Sequence, residues 1–325
     1  MTILVTGGAG YIGSHTVKEL RRNGFDVLVF DNFSSGKKDL IRTTPYVQGD
    51  LMDKPAVREA FRTRSIAAVL HFASLIQVGE SYADPRKYYT HNLQTSLNLL
   101  DAMLEAGVAN LIFSSSAAIY GVPEETPIPE THPLNPANPY GQTKLMVERI
   151  LRDYDRAYGL RSISLRYFNA AGADPDGETG ETHHPETHFI PNILLSLLGK
   201  GPRLGIFGDD FPTPDGTAVR DYIHVADLAA AHVLALKALL SGRPSDSFNL
   251  GTNVGFSVLE VIRKAEEVTG RKIPYDVRPR REGDVAVLLA SNERAEQALG
   301  WRPALSSLET IIETAWKWHS SGMAG

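Results

Sequence analysis

The segment NPYGQTK sets a tyrosine and a lysine, Tyr140 and Lys144, four residues apart directly after Pro139. Proline is favoured in the first turn of a helix, and an (i, i+4) pair shares one helical face, so the two side chains stack. Val147 and Leu151 extend that face with apolar groups and turn the pair inward. An ammonium beside a buried phenol favours the phenolate and lowers a tyrosine pKa from about 10, which is what a general base requires. A core tyrosine with a snorkelling lysine has the same spacing, so the rest of the chain must decide.

A second constellation opens the chain. TILVTGGAGYIG reads as a strand, then Gly7-x-x-Gly10-x-x-Gly13, then a helix. Such glycines permit a tight turn, a close approach of backbone to a pyrophosphate, and close packing of helix on strand. Eighteen residues beyond Gly13 the next strand ends in VFDN, which puts Asp31 where a carboxylate takes both hydroxyls of an adenine ribose. A 2'-phosphate is repelled there, so NAD is expected and NADP is not. The third strand ends in GDL, with Asp50 and Leu51 placed to flank the adenine; Asp50 serves equally well as a cap.

These groups need a scaffold. Apolar, β-branched runs recur at Ile3 to Thr6, Val27 to Phe30, Tyr46 to Gln48, Ala67 to His71, Leu111 to Ser114 and Ser162 to Arg166. Segments of helical spacing separate them, such as Ile12 to Asn23 and Asn92 to Ala106. Strands that are apolar without alternation, and that alternate with helices, predict a doubly wound parallel α/β sheet of the Rossmann type. AGADPDGETGETHHPETH is too polar for core and too long for an ordinary connection, and it suggests a boundary. We therefore expect a cofactor domain over 1–170 and a smaller mixed α/β substrate domain over 171–325, with segments returning to the first. Helices are expected at Ile190 to Leu198, Val225 to Leu240, Val258 to Val268 and Leu308 to His319, and a strand at Ser247 to Leu250.

Bulk properties exclude whole classes. Net charge is −5 with no run of basic residues, so nucleic acid and anionic membranes are not expected partners. The chain has no cysteine, which removes disulfides, thiolate nucleophiles, iron–sulfur clusters and cysteine-ligated zinc. MTILVTGG lacks the basic flank and apolar length of a signal peptide or membrane span, so a cytoplasmic enzyme is expected.

Taken with HFAS at His71 to Ser74, FSSSAAIYG at Phe113 to Gly121, PYGQTK, and LRYFNAAG at Leu165 to Gly172, the glycine spacing resembles the extended short-chain dehydrogenase/reductase family. Within it the chain is similar to the branch that inverts carbon 4 of UDP-hexoses. The resemblance spans the whole length, through VRDYIHVADLA, FNLGTNVGFSV, RPRREGD and LGWRP. It implies a catalytic set of Ser116, Tyr140 and Lys144. Tyr140, as phenolate, would take the proton of the sugar 4-hydroxyl while hydride leaves carbon 4 for NAD; the 4-keto sugar then turns over and hydride returns to its other face. Related dehydratases need an acidic residue right after the serine, and Ala117 and Ala118 stand there instead.

On the cofactor side the resemblance implies contacts from Gly7, Gly10, Tyr11, Ile12, Gly13, Asp31, Asn32, Asp50 and Leu51. Phe72, Ala73, Asn92, Ser114, Tyr140, Lys144, Tyr167 and Phe168 complete that set. UDP-glucose and UDP-galactose are the implied substrates. Ser116, Tyr140, Asn169, His188, Phe189, Arg220, Tyr222, Arg281 and Asp284 are expected around them, with Gly205 and Phe207 walling the uracil. Leu288 aligns with a gatekeeper beside the carbon 2 substituent, and leucine there predicts weak or no N-acetyl activity. His183, His184 and His188 among acidic residues invite a metal reading, but their spacing matches no zinc pattern and no metal is expected. A homodimer packed through Asn92 to Ala106 and Tyr140 to Tyr158 is also implied.

Overall fold

A computed structural model describes residues 1–281 and 283–322. The first strands follow the apolar runs closely: β1 Thr2–Thr6, β2 Asp26–Asp31, β3 Tyr46–Gln48, β4 Ile66–His71, β5 Asn110–Ser114 and β6 Arg161–Tyr167. The helices between them are α1 Tyr11–Arg22, α2 Lys38–Ile41, α3 Lys54–Thr63, α4 Val78–Ala83, α5 Pro85–Glu105 and α6 Pro139–Tyr158. Asp53, Asp84 and Asn138 cap α3, α5 and α6, each accepting a first-turn backbone N–H just ahead of a proline.

Later elements are β7 Asn169–Ala171, α7 Phe189–Leu197, β8 Leu204–Phe207, β9 Val219–His224, α8 Val225–Leu240 and β10 Asp246–Leu250. The chain continues through β11 Gly255–Ser257, α9 Val258–Thr269, β12 Tyr275–Arg278, β13 Val287–Leu288, α10 Glu293–Leu299 and α11 Leu308–Ser320. A seven-stranded sheet has the order β10-β6-β5-β4-β1-β2-β3 and is parallel throughout.

Alternation along β1 explains why both faces are covered. Ile3 and Val5 point into one core with Val17 and Leu20 of α1 and Leu236 of α8, whereas Leu4 points into the other with Phe61 of α3, Leu99 of α5 and Val147 of α6. The strand order reverses between β1 and β4, and that switch point is where sheets of this kind open a crevice at the carboxyl edge. α8 and β10 lie with this sheet although they follow the polar segment.

α10 also packs on β10 and α8, and the other elements form a smaller lobe, with Ile193 and Leu194 of α7, Ile206 of β8, Tyr222 of β9, Val261 of α9 and Ile311 of α11 in one core. The polar segment before it departs from expectation. Asp174, Thr179 and Glu181 are buried, because Lys18 pairs with Asp174 at 2.7 Å, Ser14 meets Thr179, and Trp318 donates to the Glu181 carbonyl. Its polarity is satisfied inside the protein, which allows a stretch of acid and glycine to pack. Among the described residues no helix is long and apolar enough to cross a membrane.

Candidate active site

A cleft of about 1060 Å³ runs along the carboxyl edge of the large sheet and under the smaller lobe. At one end lies the glycine loop. Gly7 has φ +72°, and a Cβ there would stand 2.6 Å from the Ala73 nitrogen; a Cβ on Gly13 would stand 2.2 Å from the Gly7 carbonyl oxygen. The loop can therefore hold its curve only with glycine, and it aims the N-terminus of α1 into the cleft, a site of partial positive charge with spare N–H donors. Asp31, at the end of β2, accepts from the backbone N–H of Ala9 at 2.9 Å and of Phe33 at 2.8 Å. Burial raises its pKa while those two donors oppose the rise. Asn32 donates to Asp50 across the same end. A cradle that a Cβ would fill, a helix N-terminus and a carboxylate at the end of the second strand fit the NAD expected from the sequence.

In the middle of the cleft stand Ser116 and Tyr140, on the loop after β5 and the first turn of α6. The Ser116 oxygen accepts the Ala118 N–H at 3.1 Å, and its side chain hydrogen-bonds the Tyr140 phenol. Lys144 is one turn further along α6 and only 2% exposed. Its ammonium donates to the Ser74 hydroxyl at 2.9 Å and the Ser114 carbonyl at 2.8 Å, and lies 5.8 Å from the centre of the Tyr140 ring. The electrostatics differ from the sequence expectation of an acidified phenol. Burial raises the Tyr140 pKa against the Ser116 hydrogen bond, and burial lowers Lys144 to about 7. Among the described residues no carboxylate contributes to either shift, and desolvation governs both.

The far end holds Asn169, Phe189, Arg220, Tyr222, Arg281, Asp284 and Leu288. Arg220 donates to the Val219 and Val285 carbonyls, and Arg281 grips Asp284 through Nε at 2.9 Å. Burial lowers the Arg220 pKa and Asp284 opposes that. Leu288 and Phe168 both pack against the cluster of Ala117, Ile119, Tyr120, Ile128 and Leu145.

Most residues named from the sequence meet on this cleft: Gly7, Gly10, Tyr11, Ile12, Gly13, Asp31, Asn32, Asp50, Leu51, Phe72, Ala73, Ser114, Tyr167 and Phe168 line it with those above. Asn92 does not; it is buried behind the wall, where it pairs with both backbone groups of Leu75 and donates to Thr143. Gly205 and Phe207 also stand back, because β8 pairs with β12 and Phe207 lies beneath the guanidinium of Arg281 at 4.8 Å.

His188 lines the cleft together with His183, while His184 is exposed outside it. Two residues absent from the sequence expectations, Glu181 and Glu186, face those two imidazoles. Burial raises the Glu181 pKa, but the imidazoles overcome it and hold the carboxyl down.

Another missed group lies behind Ser116. Arg166 pairs with Glu148 at 2.6 Å, Ser115 donates to Glu148, and Arg166 and Asn249 bracket the Tyr120 hydroxyl. Helical spacing did carry a signal for Glu148, which follows Lys144 at (i, i+4) and so falls on the inward face of α6. Ser74, which holds Lys144, lies in HFAS, one of the segments that carry the family resemblance.

Comparison with known proteins adds a second line. A model described as the NAD dependent epimerase/dehydratase family matches residues 3–251. A UDP-glucose 4-epimerase of Lacticaseibacillus casei is 50% identical over 326 residues, covering 100% of this chain and 98% of that protein. The structure of UDP-glucose 4-epimerase from Brucella ovis in complex with NAD superposes with a TM-score of 0.95 at 48% identity, over 97% of each chain. That from Bifidobacterium longum in complex with NAD+ and UDP gives 0.95 at 39% identity, over 100% of both.

Proposed function

The chain belongs to the NAD dependent epimerase/dehydratase family, and from that premise we propose that it is an enzyme that inverts carbon 4 of UDP-glucose, giving UDP-galactose, on bound NAD. The observation that carries this reading is one continuous cleft with a dinucleotide cradle at one end, two arginines and an acid at the other, and a tyrosine and serine between them with a buried lysine one helical turn behind.

NAD, when bound, supplies a hydride acceptor that becomes the donor of the return step. The chain supplies the rest. Tyr140 takes the proton of the 4-hydroxyl in one direction and returns it in the other, and the Ser116 hydroxyl holds the phenolic oxygen and the sugar oxygen together. A buried phenol ionises near neutral pH only with a cation beside it, which either a protonated Lys144 or an oxidised nicotinamide ring provides. Lys144 is fixed by Ser74 and the Ser114 carbonyl, and a third N–H of its ammonium would be the donor to a cofactor ribose hydroxyl. Arg220 and Arg281 take the diphosphate and Asp284 a ribose hydroxyl, because guanidinium pairs with phosphate and carboxylate accepts from hydroxyl. Ala117 and Ala118 move no proton, which disfavours dehydration across carbons 5 and 6.

Two copies associate through α5 and α6, whose Leu93, Leu104, Ile150 and Tyr154 are partly buried apolar groups and where Tyr158 is exposed. A monomeric mass by light scattering would reject that assembly. The cytoplasm is the proposed compartment, in keeping with a chain that has no cysteine to oxidise.

The test is incubation of purified protein with UDP-galactose, without added NAD, and chromatography for UDP-glucose, with Tyr140→Phe alongside. Product from wild type, reduced by about 10²–10⁴-fold in the variant, is expected. Absence of product from wild type even with NAD added would overturn the reading.

A further inference from the structure

We propose that Glu181, His183, Glu186 and His188 bind one first-row divalent cation of the zinc type on the wall of the cleft. The four residues offer one ligand atom each, and these atoms lie within 4.8 Å of one another. Both imidazoles turn their Nδ1 atoms onto the same oxygen, Oε1 of Glu181; His183 Nδ1 reaches it at 2.8 Å. Oε1 of Glu186 is the shared neighbour on the other side, 4.0 Å from His183 Nδ1 and 3.9 Å from His188 Nδ1. Zinc bonds of about 2.0–2.2 Å to nitrogen and oxygen imply ligand atoms roughly 3.0–3.5 Å apart. The 4.0 Å and 3.9 Å separations come within that range by shifts of about half an ångström, and a pair at the 4.8 Å limit would need about 1.3 Å shared between its two side chains.

Chemistry and charge favour the same occupant. Two imidazoles with two carboxylates suit zinc and its first-row neighbours better than magnesium or calcium, which take oxygen alone. With neutral imidazoles the cluster carries two negative charges, and Glu181 is 2% exposed on its side chain. A divalent cation cancels both charges, and as it takes the two Nδ1 atoms each neutral ring keeps its single proton on Nε2.

The backbone around the cluster is already fixed. Glu186 Oε1 accepts from the N–H of Thr187 and His188, and Trp318 holds the Glu181 carbonyl. Ligands held by such outer contacts are pre-oriented for a metal.

The proposal does not depend on the reaction assigned to the cleft, and its test reads metal rather than turnover. Purified enzyme with its retained cofactor is treated with a chelator, dialysed, and titrated with Co²⁺ alone, followed by its visible absorption; Zn²⁺ uptake is measured by elemental analysis. Uptake of one ion per chain is expected. His183→Gln and Glu186→Gln should each weaken it by at least about 100-fold, the upper end of what outer contacts alone contribute. His184→Gln, altered at an exposed residue outside the cluster, should bind as wild type does. If wild type takes up no ion, or both cluster variants still bind as tightly, the proposal is overturned. Wild-type stoichiometry decides the matter even where a variant folds poorly.

Discussion

Replacing Lys144 by methionine should stabilise the protein near neutral pH while disabling it. Burial moves the Lys144 pKa from 10.5 to about 7, so folding disfavours its charged form. At about 1.4 kcal/mol per unit, the folded state gives up roughly 4–5 kcal/mol at pH 6.5. Methionine matches the stem and lacks the charge, but forfeits hydrogen bonds to Ser74 and the Ser114 carbonyl, together worth about 2 kcal/mol. The variant should thus be more stable by roughly 2–3 kcal/mol at pH 6.5. The sign of the pH dependence follows from proton counts. Between the folded and unfolded pKa values the unfolded chain binds more protons than the folded one, so this lysine's cost shrinks as pH rises from about 7 toward 10.5. By pH 9.5 about 3 kcal/mol of the difference should be gone, leaving the two proteins level or the variant slightly weaker. Denaturant midpoints of cofactor-stripped wild type and variant at the two pH values measure this directly, and epimerase turnover should fall by about 10²-fold or more. A variant weaker at pH 6.5, or a stability difference that stays constant between the two pH values, would refute the reasoning that desolvation governs Lys144.

Three further outcomes are expected. Gly13→Ala places a methyl 2.2 Å from the Gly7 carbonyl oxygen, where backbone cannot yield, so the purified variant should carry at least roughly tenfold less NAD when its bound nucleotide is released and quantified. Glu148→Gln leaves Arg166 buried without its counter-charge and should cost about 3 kcal/mol or more in urea unfolding, whereas Glu148→Met with Arg166→Met should recover much of that loss. Leu288→Ser removes an apolar side chain from the cleft wall and should raise activity on UDP-N-acetylglucosamine relative to UDP-glucose in a coupled assay; an unchanged ratio would remove Leu288 from the specificity wall.

What the sequence made legible shares one property: its cause lies within a few residues of chain. The stacking of Tyr140 over Lys144 follows from helical repeat and a proline start, and Lys144, Val147 and Leu151 are indeed buried on α6. The glycine spacing and Asp31 are likewise local, one a turn and the other a strand end. The protonation behaviour of that same pair was not legible, because desolvation depends on Ser74 and Ser114, which reach Lys144 from two other strand ends. Composition misled for the same reason in the segment after Asn169. Acids and glycines forecast a solvated loop, yet Asp174 is paired to Lys18 and Glu181 is enclosed by two imidazoles and the Trp318 anchor. Glu148 is the sharpest instance: its (i, i+4) spacing from Lys144 puts it on the inward face of the helix, but only the arrival of Arg166 from β6 shows how a carboxylate stays buried there. A polar residue's partner can sit anywhere in the chain, so its burial depends on tertiary contacts that periodicity does not encode. It follows that the places where polarity and burial disagree, the loop over Glu181 to His188 and the pair behind Ser116, are where mutation will report most about how this cleft is held.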